Sequence, residues 1–116
     1  MFEIKFYKDE NGRSPIEDFL DKLNSKQTLK ITWVLNLIED HENIPKTYLK
    51  KLTNTDDIWE IRIQSGNNAY RLMCFKFRRK IIVLTNGFHK KTQKTPKNEI
   101  LLAEKRKADW LRRNAK

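Results

Sequence analysis

Arg62 and Arg71 each fall inside a stretch that alternates apolar and polar residues, IWEIRI and AYRLMCFKF. Arginine in a strand interior is costly unless its guanidinium reaches water or an anion. Both outcomes are open at this point. Each can be an outward arginine on a solvated sheet face, with Arg62 beside Glu60, or the two can converge if their strands are hairpin neighbours. Convergent guanidiniums suit phosphate, because each offers a planar fork of donors and keeps its charge. The segment TNGFHKKTQKTPKNEI, residues 85–100, adds further candidates. His89 is the one side chain of this basic region that titrates near neutrality, a candidate general acid or base, or a plain surface histidine. Lys90 and Lys91 follow a strand end and would project beside the arginines. Lys94 and Lys97 sit near a helix start, where lysine opposes the macrodipole and a bound anion would relieve it. Lys50 and Lys51, and Arg78 and Arg79 at a hairpin tip, are either further phosphate contacts or solvated surface.

Elements that must position these groups are legible around them. FEIKFY alternates as a strand with one buried face. SPIEDFLDKL opens a helix with Ser14 as N-cap, Pro15 in the first turn and Glu17 three residues after the cap. Ile16, Phe19, Leu20 and Leu23 give it one apolar face, and Ile31, Val34, Leu35 and Ile38 repeat that spacing in a second helix. Their short connection implies an antiparallel αα-hairpin. Residues 46–57 read as an irregular polar segment. IWEIRI, AYRLMCFKF and KIIVLTN then read as an antiparallel meander joined by QSGNN and RRK. In the second strand Tyr70, Leu72 and Cys74 share one face, Arg71, Met73 and Phe75 the other. A helix opened by Thr95-Pro96 and running to about Arg113 closes the chain. Its apolar side takes Ile100, Leu101, Ala103, Ala108, Trp110 and Leu111. The expected fold class is α+β, in the order β-α-α-β-β-β-α, with a curved antiparallel sheet. The sheet packs against an N-terminal αα-hairpin and a C-terminal helix. Trp33, Trp59 and Trp110 occupy positions compatible with a core, and Cys74 reads as a buried, unactivated thiol.

The chain has 116 residues, enough for one core and one domain, residues 1–116. Its formal net charge is +10, and the charge is segregated. Residues 1–45 carry six basic and nine acidic side chains; residues 46–116 carry nineteen and six. Such asymmetry points to a polyanionic partner, nucleic acid or an acidic protein. There is no apolar run long enough to span a membrane, nor a signal-peptide pattern at the N-terminus. With one cysteine, the expected location is the cytoplasm. Two histidines and one cysteine offer no structural zinc site. No Gly-rich phosphate loop, Ser-His-Asp order or metal-spaced carboxylate set is present.

Taken together, IWEIRI, AYRLMCF and IIVLTNGFHKKTQKTPKNEI with the AEKRKADWL helix resemble the HigB-like toxins of the RelE/ParE superfamily, the phage-derived host-inhibition type. The G-F-x-K-K-T-x-K-T-P run is the most specific part, and the likeness covers residues 50–111 closely. The resemblance implies a RelE-like fold and a toxin of a type II toxin–antitoxin system. It further implies a ribosome-dependent mRNA endonuclease that inhibits translation by metal-independent 2′-OH attack on the scissile phosphate, without a cofactor. Its partners would be ribosome-bound mRNA with rRNA contacts and a cognate helix-turn-helix, HigA-like antitoxin. The acidic N-terminal helices are a candidate surface for that antitoxin. Carried over, Arg62 and Arg71 bind the scissile phosphate and Lys90 or Lys91 supplies the basic residue after the last strand. His89 fills the open position of G-F-x-K-K. Candidate RNA contacts are Lys50, Lys51, Lys94, Lys97, Arg78 and Arg79. Glu60 stands where RelE-type enzymes carry a lysine, and their later aromatic hydroxyl has no counterpart. Those departures leave a second expectation on the same fold: a non-catalytic ParE-like gyrase inhibitor, or a module that binds RNA or an antitoxin.

Overall fold

In the computed structural model, which describes residues 1–114, period-two alternation resolves into two buried faces of a five-stranded sheet. The elements are β1 (Glu3–Phe6), α1 (Pro15–Asp21), α2 (Ser25–Asp40), β2 (Leu49–Lys51), β3 (Trp59–Ser65), β4 (Asn68–Phe77), β5 (Ile81–Lys90) and α3 (Lys97–Asn114). The sheet order is β1-β5-β4-β3-β2. The fold is α+β, with α1 and α2 on one face of the sheet and α3 on the other. Ile61, Ile63, Tyr70, Leu72, Cys74, Ile82 and Leu84 meet the N-terminal helices. Met73, Phe75 and Val83 meet Ala103 and Trp110 of α3. No helix among the described residues is long and apolar enough to cross a membrane.

Two expectations about the sheet need correction. It is mixed, because β1 lies parallel to β5, with Glu3 opposite Ile81 and Phe6 opposite Leu84. The two helices and three strands between them supply the long crossover that a parallel pair requires. The segment expected to be irregular contains β2, whose Leu49 is buried and pairs with Ile61. Three residues are too few for alternation to register in sequence.

The helices begin where the capping residues stand. Ser14 Oγ accepts from the Glu17 amide at 3.2 Å. Asn24 and Gln27 exchange hydrogen bonds as a capping box at the start of α2. Leu101, expected on the apolar side of α3, is exposed.

The G-F-H-K-K run depends on Gly87 for packing. A Cβ there would lie 2.7 Å from side-chain carbons of both Leu72 and Phe19. Glycine thus lets α1 approach β5. Gly87→Ala is expected to cost about 1–3 kcal/mol by overpacking, visible as a lower urea midpoint; an unchanged midpoint would contradict this close packing.

Candidate active site

Antiparallel register places Arg62 directly opposite Arg71, on the face shared with α3. Like charges directly opposite on neighbouring strands repel, so something must hold them. That group is Glu60, two residues before Arg62 and therefore on the same face. Its carboxylate is 1% exposed, accepts from Arg62 Nε at 2.9 Å and lies 3.6 Å from Arg71 Nε. Its second oxygen accepts from Thr95 Oγ1 at 2.6 Å. Two arginines around one carboxylate leave a surplus positive charge on this face.

Donors remain in excess. Arg71 Nη1 donates to its neighbour's carbonyl, Tyr70 O, at 3.0 Å. Arg71 Nε is buried and makes no hydrogen bond among the described residues. An unpaired buried donor is costly. Burial holds the Arg71 guanidinium below its ordinary range; Glu60 opposes that shift and Arg62 adds to it. The arrangement offers guanidinium charge to an oxyanion in either recess that Arg71 lines.

Lys90 completes the face. It pairs with Ala69, one β4 position on the same side as Arg71. Burial and the neighbouring Arg71 charge pull its ammonium below the usual lysine range, with Glu60 opposing. Two recesses share Arg71. One, about 370 Å3, is lined by Ala69, Lys90, Lys91, Thr92 and Gln93. The other, about 340 Å3, is lined by Lys30, Thr47, Tyr48, Arg62, Ile63 and Gln64. A larger recess of about 510 Å3 lies between Tyr7–Glu10 and α3 and holds none of these candidates. Tyr7 and Asp109 line it, and Tyr7 and Arg113 both donate to Asp109.

The middle of β5 and the loop after it are both tied down. Asn86 is buried; its Nδ2 donates to Glu99 Oε1 at 2.9 Å and its Oδ1 accepts from Thr85 Oγ1 at 2.7 Å. Opposite Met73 and Cys74 the ladder shifts register, and the Thr85 carbonyl accepts from Arg106 at 2.9 Å. These contacts tie α3 to β5, and Thr95 closes the loop onto Glu60.

A family model described as Phage derived protein Gp49-like (DUF891) matches residues 18–108. The chain belongs to this Gp49-like family. The matched span runs from within α1 to within α3 and contains every residue of the arginine face. Among curated proteins, no relative matches the chain.

In this Gp49-like protein the sequence candidates separate by face and by end of the sheet. Arg62, Arg71 and Lys90 come together, and Lys91 lines the adjoining recess. His89 does not join them: it is exposed on the opposite face, its ring 5.0 Å from that of Tyr70. Because β5 runs through Lys90, its pleat turns His89 and Lys90 to opposite sides. Lys50 is exposed on β2 opposite Glu60, on the arginine face. Lys51 points the other way and pairs with Asp57 at 2.9 Å. Lys94 and Lys97 are exposed around the start of α3, outside both recesses. Glu60 as a buried clamp, Thr95 as its partner and Tyr48 at the arginine recess are additions from the structure. Trp33, expected in the core, is 49% exposed, because it falls beside rather than on the Ile31-Val34-Leu35-Ile38 stripe.

Arg78 and Arg79 stand at the β4–β5 tip, seven residues along β4 from Arg71, roughly 24 Å away at ~3.4 Å per residue. Both adopt left-handed backbone, φ 53° and 59°, in the three-residue connection between paired Phe77 and Ile81, where Lys80 N donates to Phe77 O. Such turns favour Asn-Gly, and a side chain in this region costs about 1–2 kcal/mol. Arg78→Asn/Arg79→Gly is therefore expected to raise stability by about 1 kcal/mol and Tm by roughly 4 °C. A lower Tm would show that the Arg78 guanidinium over Phe77, at 4.8 Å, holds the tip instead.

Proposed function

We propose that this Gp49-like protein is the toxin of a type II toxin–antitoxin pair and cuts mRNA on the ribosome. The observation that carries the proposal is the directly opposed Arg62 and Arg71 with Lys90 on the same sheet face. In the proposed step a ribose 2′-oxygen bonds to the adjacent phosphorus and the bond to the 5′-oxygen breaks. The products are a 2′,3′-cyclic phosphate and a 5′-hydroxyl. The proton leaving the 2′-hydroxyl goes to a base, and one is returned to the departing 5′-oxygen. Arg62 and Arg71 hold the phosphate and stabilise the charge that grows on its oxygens. Glu60 positions the two arginines. Lys90 is the base, since burial and Arg71 favour its neutral amine at a lower pH than for an ordinary lysine.

The sign of the pH dependence follows. A lysine that must be neutral gives a rate that rises with pH and levels above its folded pKa. Because that pKa is lowered, the rise is expected below the ordinary lysine range. Cleavage of mRNA on purified ribosomes, measured against pH, should show this limb in the wild type and lose it in Lys90→Arg. A rate that is flat with pH in the wild type would remove Lys90 from this role.

The cognate partner in this reading is a helix-turn-helix antitoxin. The α2 surface that presents exposed Leu29 and Trp33 beside the acidic α1 suits it. Glu60 supports a second reading, a non-catalytic gyrase inhibitor or binding module, because it neutralises part of the arginine pair. DNA damage on induction, with intact mRNA, would favour that reading.

A further inference from the structure

Tyr48 lies at the edge of β3, and nothing in the sequence singles it out. It lines the recess of about 340 Å3 that Arg62 and Arg71 also bound. We propose that this recess is a nucleobase subsite, in which a base of single-stranded RNA stacks on the Tyr48 ring. The inference rests on the reading of the arginine pair as a phosphate site, and specifies what adjoins that phosphate.

Four observations support it. The volume lies at the low end of small-ligand recesses, about 300–1,000 Å3. The Tyr48 backbone is held on both sides: its amide donates to Pro45 O at 2.9 Å and its carbonyl accepts from the Arg62 amide at 2.8 Å. That second bond fixes the ring relative to the strand that carries Arg62. Trp33, half exposed, backs the ring edge-to-face at 5.9 Å and 65°. Finally, polar groups stand around the ring. Gln64 Nε2 donates to Gly66 O at 2.8 Å, leaving Oε1 to accept from a base edge. Lys30, held over the Trp33 ring at 4.6 Å, adds positive charge for a neighbouring phosphate. An aromatic ring beside paired arginines is how single-stranded nucleic acid is held without a duplex: phosphates on the cations, bases on the ring.

The test uses the full chain and two uncleavable probes, a short 2′-O-methyl oligouridine and a fully abasic 2′-O-methyl backbone of equal length. Wild type is expected to bind the base-bearing probe more tightly. Tyr48→Leu, which keeps apolar volume without a π face, should weaken that probe roughly 5- to 100-fold and leave the abasic probe unchanged. Tyr48→Phe should bind both as wild type does, since stacking needs the ring and not the hydroxyl. Equal effects of Tyr48→Leu on the two probes, or none on either, would overturn the subsite. So would a loss confined to antitoxin binding, which would assign the recess to a protein segment. Arg71→Ala reports separately on the phosphate site: weakening of both probes sustains it, and no weakening of either overturns both it and the subsite built on it.

Discussion

Arg71→Ala is expected to lower RNA cleavage by about 10²–10³-fold while the protein stays folded. The first half follows from placement: Arg71 borders both recesses, and its buried Nε lies 3.6 Å from Glu60 without making a hydrogen bond. The second half follows from what remains. Glu60 keeps Arg62 at 2.9 Å and Thr95 at 2.6 Å, so its carboxylate is not stranded. Truncation also removes the orphaned donor, and with it a cost to the native state. Arg71→Lys should restore little, because a lysine keeps the charge but loses the planar fork. Cleavage on purified ribosomes and thermal melting by circular dichroism check the two halves. An Arg71→Ala protein that melts normally and cleaves at the wild-type rate would contradict the role assigned to the pair.

Glu60→Gln is expected to fail in the opposite way, in stability first. The change keeps shape but removes the charge between two guanidiniums that face each other across β3 and β4. Removing one partner of a fully buried pair costs about 3–5 kcal/mol. The loss here should fall somewhat below that, because Arg62 reaches water with 31% of its side chain exposed. Activity falls with it, since the arginines lose the group that orients them. The double variant Glu60→Gln/Arg71→Ala should recover part of the lost stability, because the repulsion needs both arginines. Urea denaturation of the four proteins gives the cycle. Additive losses would mean that Glu60 does not act through Arg71.

Much of this site was legible in the sequence because it is written in period two. Alternation puts Arg62 with Glu60 on one face of β3 and Arg71 with Met73 and Phe75 on one face of β4, and the register shows these to be the same face. The helix start at Ser14-Pro15 carries its own capping chemistry. What escaped has physical reasons. The last strand reads as ending near Asn86, where the apolar run stops, yet β5 continues to Lys90. That extension puts His89 and Lys90 on opposite faces, which adjacency in sequence conceals. Glu60 reads as a surface partner of Arg62, yet it is buried between β2 and β4 and the Thr95 loop closes on it. Tyr48 lies in a polar stretch without periodicity, so neither β2 nor the recess beside it could be placed. The parallel pairing of β1 is a long-range choice that no local pattern encodes.

In the proposed function the arginine face cuts mRNA during translation. Mapping mRNA 5′ ends in cells after induction, for the wild type and Arg71→Ala, tests it most directly. The account predicts discrete new ends within translated codons, bearing 5′-hydroxyls, that vanish in Arg71→Ala while the protein still accumulates. Growth arrest by the wild type with no new mRNA ends, or the same ends from Arg71→Ala, would contradict it.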